Sequence, residues 1–166
     1  MKMVFCDIDG TLYRENEQIS PLNKEALTRF RDAGGQVVYC TGRHILEMNK
    51  ILEQDGYPFD YLVLNNGGAI LDSNKETLYE KHIEQSIGLD ILQWGVEANM
   101  FVHMCDGKNS YGCFNHQSFA HSDMGNIPIP DDYMTLMKES PSFQIISLNQ
   151  EDNQIDRINI IKKRIE

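Results

Sequence analysis

The stretch Lys2-Met3-Val4-Phe5-Cys6-Asp7-Ile8-Asp9-Gly10-Thr11-Leu12 decides the fold. Its opening residues, Lys2 to Cys6, form a short apolar run without polar alternation, which predicts a strand buried on both faces, as in a parallel sheet. The run stops at Asp7. Two carboxylates, Asp7 and Asp9, therefore emerge at the carboxyl end of a strand, where open α/β sheets bind ligands. Acids one residue apart on chain that has just left a strand can divide nucleophilic and proton-transfer roles, and backbone amides around Gly10 can approach an anion closely. Taken alone, an Asp-x-Asp-Gly run is more often a turn or a calcium-type loop, so its neighbours must decide.

Thr11 to Ser20 is polar and loop-like. Ser20-Pro21 then gives an N-cap with proline in the first helical position, and Leu22, Ala26, Leu27 and Phe30 keep helical spacing up to a stop at Gly34-Gly35. Gln36 to Cys40 reads as a second buried strand. Thr41-Gly42-Arg43 leads into a helix with Ile45, Met48, Ile51 and Leu52 on one face, closing at Gly56 with Pro58 beyond, and Tyr61 to Leu64 is a third strand. Strand, helix, strand, helix, strand implies right-handed crossovers and a doubly wound parallel sheet, a Rossmann-like α/β core. Asn66-Gly67 reads as a tight turn that needs positive φ.

From about residue 80 the pattern changes to an α+β unit, so the chain divides into 1–79 and 80–166. A helix is expected around Ser86 to Glu97. Phe101 to Cys105 and Ser110 to Phe114 flank Asp106-Gly107-Lys108-Asn109 as an antiparallel hairpin. Pro128 and Pro130 mark a connection, Asp131 to Glu139 a helix, Phe143 to Leu148 a strand and Glu151 to Ile165 a final helix. Trp94, Met100, Met104, Met124, Met134 and Met137 read as core of this unit.

The 166 residues are 41% hydrophobic and 24% charged, with a net charge of -10, which suits a soluble globular chain and repels nucleic acid and anionic membrane. Cys6, Cys40, Cys105 and Cys113 are widely spaced, which argues against a disulfide framework and for a reduced, cytoplasmic setting. Met1 to Cys6 is too short for a signal peptide or a span, so the chain is expected to begin directly with fold. The set His103, Cys105, Cys113, His116 and His121 matches no structural zinc spacing.

With Thr41 in register at the tip of a second strand, Asp7-Ile8-Asp9-Gly10-Thr11-Leu12 resembles the first motif of the haloacid dehalogenase (HAD) superfamily, and Cys40-Thr41-Gly42-Arg43 resembles its second. The Thr-Gly-Arg form, Asn66-Gly67 and the α+β segment are similar to the Cof-like subclass IIB, in which a cap domain is inserted into the core. The resemblance implies a phosphohydrolase of small phosphorylated metabolites such as sugar phosphates. Asp7 would be the nucleophile that forms an aspartyl-phosphate, and Asp9 the acid that protonates the leaving oxygen and then activates water. Mg²⁺ would be bound by the Asp7 carboxylate and the Asp9 main-chain carbonyl. A carboxylate attacking a phosphate dianion needs such a cation to screen like charges. Thr41 and Gly42 would bind the phosphoryl group, together with Gly10 and Thr11, at a helix N-terminus suited to anions. Arg43 and Asn66 would stand near the substrate. Each also has a plainer role: Thr41 as a helix cap, Arg43 as a solvated first-turn residue, Asn66 as a turn residue.

The same resemblance calls for a lysine and a downstream acidic pair. Asp131-Asp132, Asp152, Asp156, Lys162 and Lys163 all stand in the wrong context for them. The expectation is thus an incomplete core and cap, a first strand left at a sheet edge, and no appreciable turnover from this chain alone. Self-association or a complementing C-terminal fragment would then supply the rest. Two rival readings remain: a non-catalytic phosphate-binding or assembly module, and a phosphotransferase or mutase.

Overall fold

The computed structural model describes residues 2–13, 19–56, 58–98, 100–107, 110–113, 142–149, 159 and 161–164. They fall into two compact units, Met1–Lys81 and His82–Glu166.

In the first unit, β1 (Lys2–Asp7), α1 (Pro21–Asp32), β2 (Gly35–Cys40), α2 (Ile45–Asp55) and β3 (Tyr61–Leu64) alternate as the apolar pattern predicts. Successive strands pair in parallel, β1 on β2 and β2 on β3, so each helix is a crossover. Ser20 caps α1 by accepting the Asn23 N–H at 3.2 Å, with Pro21 just inside the helix. Asp60 clips the unit together before β3: it takes a two-pronged bond from Arg31 of α1, both distances 3.1 Å, and accepts the Val37 N–H of β2 at 2.8 Å.

The sheet does not end at β3. A short 3₁₀ turn, Asn65–Gly67, leads into β4 (Ala69–Asp72), which pairs antiparallel with β3, and β5 (Thr77–Glu80) continues the hairpin, giving the order β1-β2-β3-β4-β5. β4 adds Ala69 and Leu71 to the core, whereas β5 is exposed throughout, and both are only four residues long, too short to show a period in the sequence. The core sheet is therefore mixed, although its α/β class is the expected one.

One expectation needs correcting. The run Lys2 to Cys6 is a strand, but it is not buried on both faces: β1 pairs only with β2 among the described residues, and Phe5 keeps 64% of its surface exposed. The two faces of β1 differ: Val4 and Cys6 pack against the core, whereas Met3 and Phe5 on the opposite face are exposed. The described part of the segment from Thr11 to Ser20 carries no helix or strand, as expected, but it adds to the core. Leu12, Tyr13 and Ile19 are buried with Ile8 in the same core cluster as Val37, Tyr39, Met48 and Leu62.

In the second unit, β6 (Ile83–Glu84) precedes α3 (Gln85–Glu97), and the hairpin of β7 (Phe101–Cys105) and β8 (Ser110–Cys113) is antiparallel as expected. Leu92 of α3 packs with Val102, Met104 and Phe143, and Met100 is also fully buried. The strand expected over Phe143 to Leu148 is two strands. β9 (Ser142–Phe143) pairs with β6, and β10 (Ile145–Asn149) pairs with β7, giving a second sheet in the order β10-β7-β8. The break is at Gln144, whose N–H bonds the Cys105 carbonyl at 2.7 Å; a hydrophobic run cannot reveal a change of pairing partner. Residues 159 and 161–164 are helical, with Lys162 and Lys163 exposed. The helix expected over Asp131 to Glu139 lies outside the described residues, as do Pro128, Pro130, Asp152, Asp156, His116, His121, Met124, Met134 and Met137. No helix among the described residues is long and apolar enough to cross a membrane.

Candidate active site

Because β1, β2 and β3 are parallel, their carboxyl ends meet at one edge of the sheet. Asp7 ends β1 directly opposite Cys40, which ends β2, and Thr41 follows at once. Leu64 ends β3, and Asn65 follows it. The topology alone therefore gathers Asp7, Thr41 and Asn65 from three separate parts of the sequence.

The loop after β1 is fixed from below. Ile8 points into the core and the chain turns back, with the Tyr13 N–H bonded to the Ile8 carbonyl at 2.8 Å and the Gly10 N–H to the Tyr13 carbonyl at 2.9 Å. Burying Ile8 leaves Asp7 and Asp9, one residue to either side, at the surface. Gly10 sits at φ 78, with nothing within 4 Å of where a Cβ would be. Glycine is required there by the left-handed turn and not by close packing. The amides of Gly10, Thr11, Leu12 and Tyr13 all donate within the turn, so in this arrangement the Gly10 and Thr11 amides hold the loop instead of facing outward. The Thr11 hydroxyl donates to Asp7 Oδ2 at 2.9 Å.

Asp9 is held from the second loop. Its carboxylate receives Arg43 Nε at 3.0 and 3.2 Å and Arg43 NH2 at 2.7 Å, and the Thr41 hydroxyl lies 3.5 Å from its Oδ2. The bonds from Arg43 hold the Asp9 carboxyl below the usual carboxylate range, against a smaller opposing effect of burial. An ionised Asp9 can accept a proton but has none to give, so proton donation needs this fork to open. Thr41 is buried, and its hydroxyl also accepts the Arg43 N–H at 3.1 Å; the expected capping habit of threonine is thus turned onto the loop itself.

Gly42 is exposed, and a Cβ there would stand 3.0 Å from Asn66 Oδ1. Asn66 is accordingly drawn against the Thr41–Arg43 loop. Sequence reasoning passed over two neighbours. His44 is the buried N-cap residue of α2, and burial lowers its imidazole pKa; nothing in its spacing marks it. Asn65 is buried with φ 53, and the doubled asparagine before Gly67 was the available signal. The Cys6 and Cys40 thiols at the strand ends are pushed up, mainly by burial, so neither is an activated nucleophile.

The exposed Asp7 carboxylate offers oxygen to a cation at this end of the sheet. Among the described residues no three His, Cys, Asp or Glu side chains converge on a point. Such a sparse oxygen set fits Mg²⁺, which binds one or two carboxylates and retains water.

A sequence profile of the haloacid dehalogenase-like hydrolases matches residues 4–166. A 5-amino-6-(5-phospho-D-ribitylamino)uracil phosphatase of Bacillus subtilis is 27% identical over 124 residues, 75% of this chain and 42% of its own length. An HMP-PP phosphatase of Yersinia pestis is 31% identical over 103 residues, 62% of this chain and 37% of that protein. A haloacid dehalogenase-like hydrolase of B. subtilis superposes with TM-score 0.62 at 30% identity, over 67% of this chain and 39% of that one. A Thermotoga maritima protein shares the fold with TM-score 0.78 at 16% identity, over 99% and 62%. The matched part of the chain spans 42% and 37% of the length of the two curated phosphatases.

Proposed function

Since the chain belongs to the haloacid dehalogenase-like hydrolase family, we propose that it provides the phosphoryl-handling part of a Mg²⁺-dependent phosphohydrolase acting on a small phosphorylated metabolite of the sugar-phosphate type. The relatives are named for phosphorylated small molecules, a ribitylaminouracil phosphate and HMP-PP. One observation carries the reading: Asp7 leaves the sheet directly beside the Cys40-Thr41 strand end, with Asp9 on the Thr41 hydroxyl.

In this reading an Asp7 carboxylate oxygen attacks phosphorus and the bond to the leaving oxygen breaks, leaving an aspartyl-phosphate. Asp9 delivers a proton to the leaving oxygen. It then takes one from the water that attacks phosphorus, which releases phosphate and restores Asp7. Thr41 and Gly42 bind the phosphoryl oxygens, Gly10 and Thr11 join them only when their amides leave the turn, and Arg43 and Asn66 face the substrate once the fork on Asp9 opens. The Asp7 carboxylate and Asp9 carbonyl would hold Mg²⁺, whose chemistry here is to screen the charge of nucleophile and phosphate.

Residues 80–166 would belong to the cap, and a cytoplasmic setting rests on the cysteine spacing. The edge position of β1, with Phe5 and Met3 exposed, supports completion by a C-terminal fragment or by self-association. Assays on an aryl phosphate with Mg²⁺ test both parts. Alone, the chain and its Asp7→Asn variant should give equal residual rates. Mixed with the C-terminal part of the B. subtilis relative, the unaltered chain should exceed the variant by about 10²-fold or more, the scale of one lost charge-stabilising group. No Asp7 dependence in the completed assembly defeats the enzyme reading; a strong Asp7-dependent rate from the chain alone defeats the need for completion.

The two-pronged hold of Arg43 on Asp9 favours one second reading, a phosphate-binding module without turnover. Calorimetry would then show phosphate binding that is indifferent to Mg²⁺ and unaccompanied by hydrolysis.

A further inference from the structure

Three consecutive residues after β3 occupy the left-handed region: Asn65 at φ 53, Asn66 at φ 54 and Gly67 at φ 95. Glycine does so freely, but an asparagine does so at a cost, and two in succession persist only where the surroundings enforce them. A hairpin between β3 and β4 accounts for some positive φ at such a turn. It does not account for where the amides point. The Asn65 N–H bonds the Arg43 carbonyl at 3.0 Å, and the Asn66 N–H bonds the Thr41 carbonyl at 3.2 Å. Both bonds leave the hairpin and enter the loop after β2.

Arg43 is thereby gripped at both ends of its own backbone. Its N–H goes to the Thr41 hydroxyl at 3.1 Å, its carbonyl receives Asn65, and Thr41 is itself tied to β3 through its N–H on the Val63 carbonyl at 2.9 Å. The arginine side chain starts from a fixed point, and from there its guanidinium reaches Asp9 with two nitrogens. A planar fork depends on the direction of its stem, because both contacts are lost together when the stem turns.

We propose that Asn65 is a positioning residue: its left-handed backbone aims an N–H at the Arg43 carbonyl and so sets the guanidinium on the Asp9 carboxylate. The proposal deepens the phosphohydrolase reading, in which Asp9 handles the proton, but it makes its own structural claim. The measurement is therefore made on Arg43 and not on turnover.

In the chain labelled with ¹⁵N-arginine, the Arg43 Nε–H signal, assigned by its loss in Arg43→Lys, should exchange with water about tenfold more slowly than in Asp9→Asn, as befits a charge-assisted bond. Asn65→Gly keeps access to positive φ and should preserve that protection within about twofold. Asn65→Val, whose β-branch is excluded from the left-handed region, should lose it while the backbone amides of Ala69–Asp72 stay protected. Should the valine variant fail to fold, Asn65→Ala gives the same reading with a smaller loss. Arg43 protection that survives in the folded valine or alanine variant overturns the proposal, as does its loss in Asn65→Gly. Absence of phosphatase activity in any assembly leaves this result untouched.

Discussion

In β2, Val37, Val38 and Tyr39 are each at most 1% exposed, whereas in β1, which pairs with it residue for residue, Phe5 keeps 64% of its surface and Met3 37%. Both strands read as apolar runs that stop at a polar residue. They differ in position: β2 lies between two strands, and β1 has one neighbour among the described residues. Burial is therefore a property of the sheet and not of the run. The strand that carries the proposed nucleophile is the less protected of the two.

The largest effect should come from β2. Tyr39→Ala removes a buried ring that lies 6.2 Å from the Phe59 ring, and by analogy with other buried aromatics should cost about 3–5 kcal/mol, seen as a lower midpoint in urea. A value under about 1 kcal/mol would mean that β2 is not the core strand described here.

Next is the clip that joins β2 to α1. Asp60→Ala strips the Arg31 fork and the Val37 N–H of their acceptor and should cost about 1–3 kcal/mol. The Arg31 bond also holds the Asp60 carboxyl below its usual range. A carboxyl whose pKa is lowered by folding stabilises fully above its unfolded value of about 3.9. That contribution fades as pH falls through the lower folded value. Acid titration of Asp60→Asn should lack this part of the stability loss.

On the other side of the comparison the effects shrink. Arg43→Gln breaks an ion pair whose partners are 38% and 50% exposed, so stability should change by under about 1 kcal/mol, even though Asp9 loses its fork. Phe5→Ser should alter stability by no more than about 0.5 kcal/mol. If the β1 edge supports association, the same change should reduce the mean mass in sedimentation at high concentration. A Phe5→Ser cost matching that of Tyr39→Ala would erase the contrast between the strands.

Much of the site was legible because its logic is local. Asp7, Asp9, Thr41, Gly42 and Arg43 sit at strand tips that hydrophobic runs locate well. The partnerships were not legible. Nothing in the order of residues indicates that Arg43 takes Asp9, that the Gly10 N–H returns to Tyr13, or that Asn66 lies against Gly42. Those depend on how far each side chain or turn reaches once three loops share one edge. The strands Ala69–Asp72 and Thr77–Glu80 were not legible because each is only four residues long, too short for a periodic signal, and the second is exposed throughout.

By itself the sequence determined the parallel β-α-β-α-β order, the helix cap at Ser20-Pro21 and the pair of acids at a strand end, since apolar runs, caps and turn residues act within a few positions of one another. Only the tertiary structure decided that an antiparallel hairpin continues the sheet beyond β3, that residues 142–149 serve two sheets, and that Asn65 reaches the Arg43 carbonyl. These follow from pairing between distant segments, where the free energy depends on which backbone groups and surfaces meet and not on what either segment prefers alone.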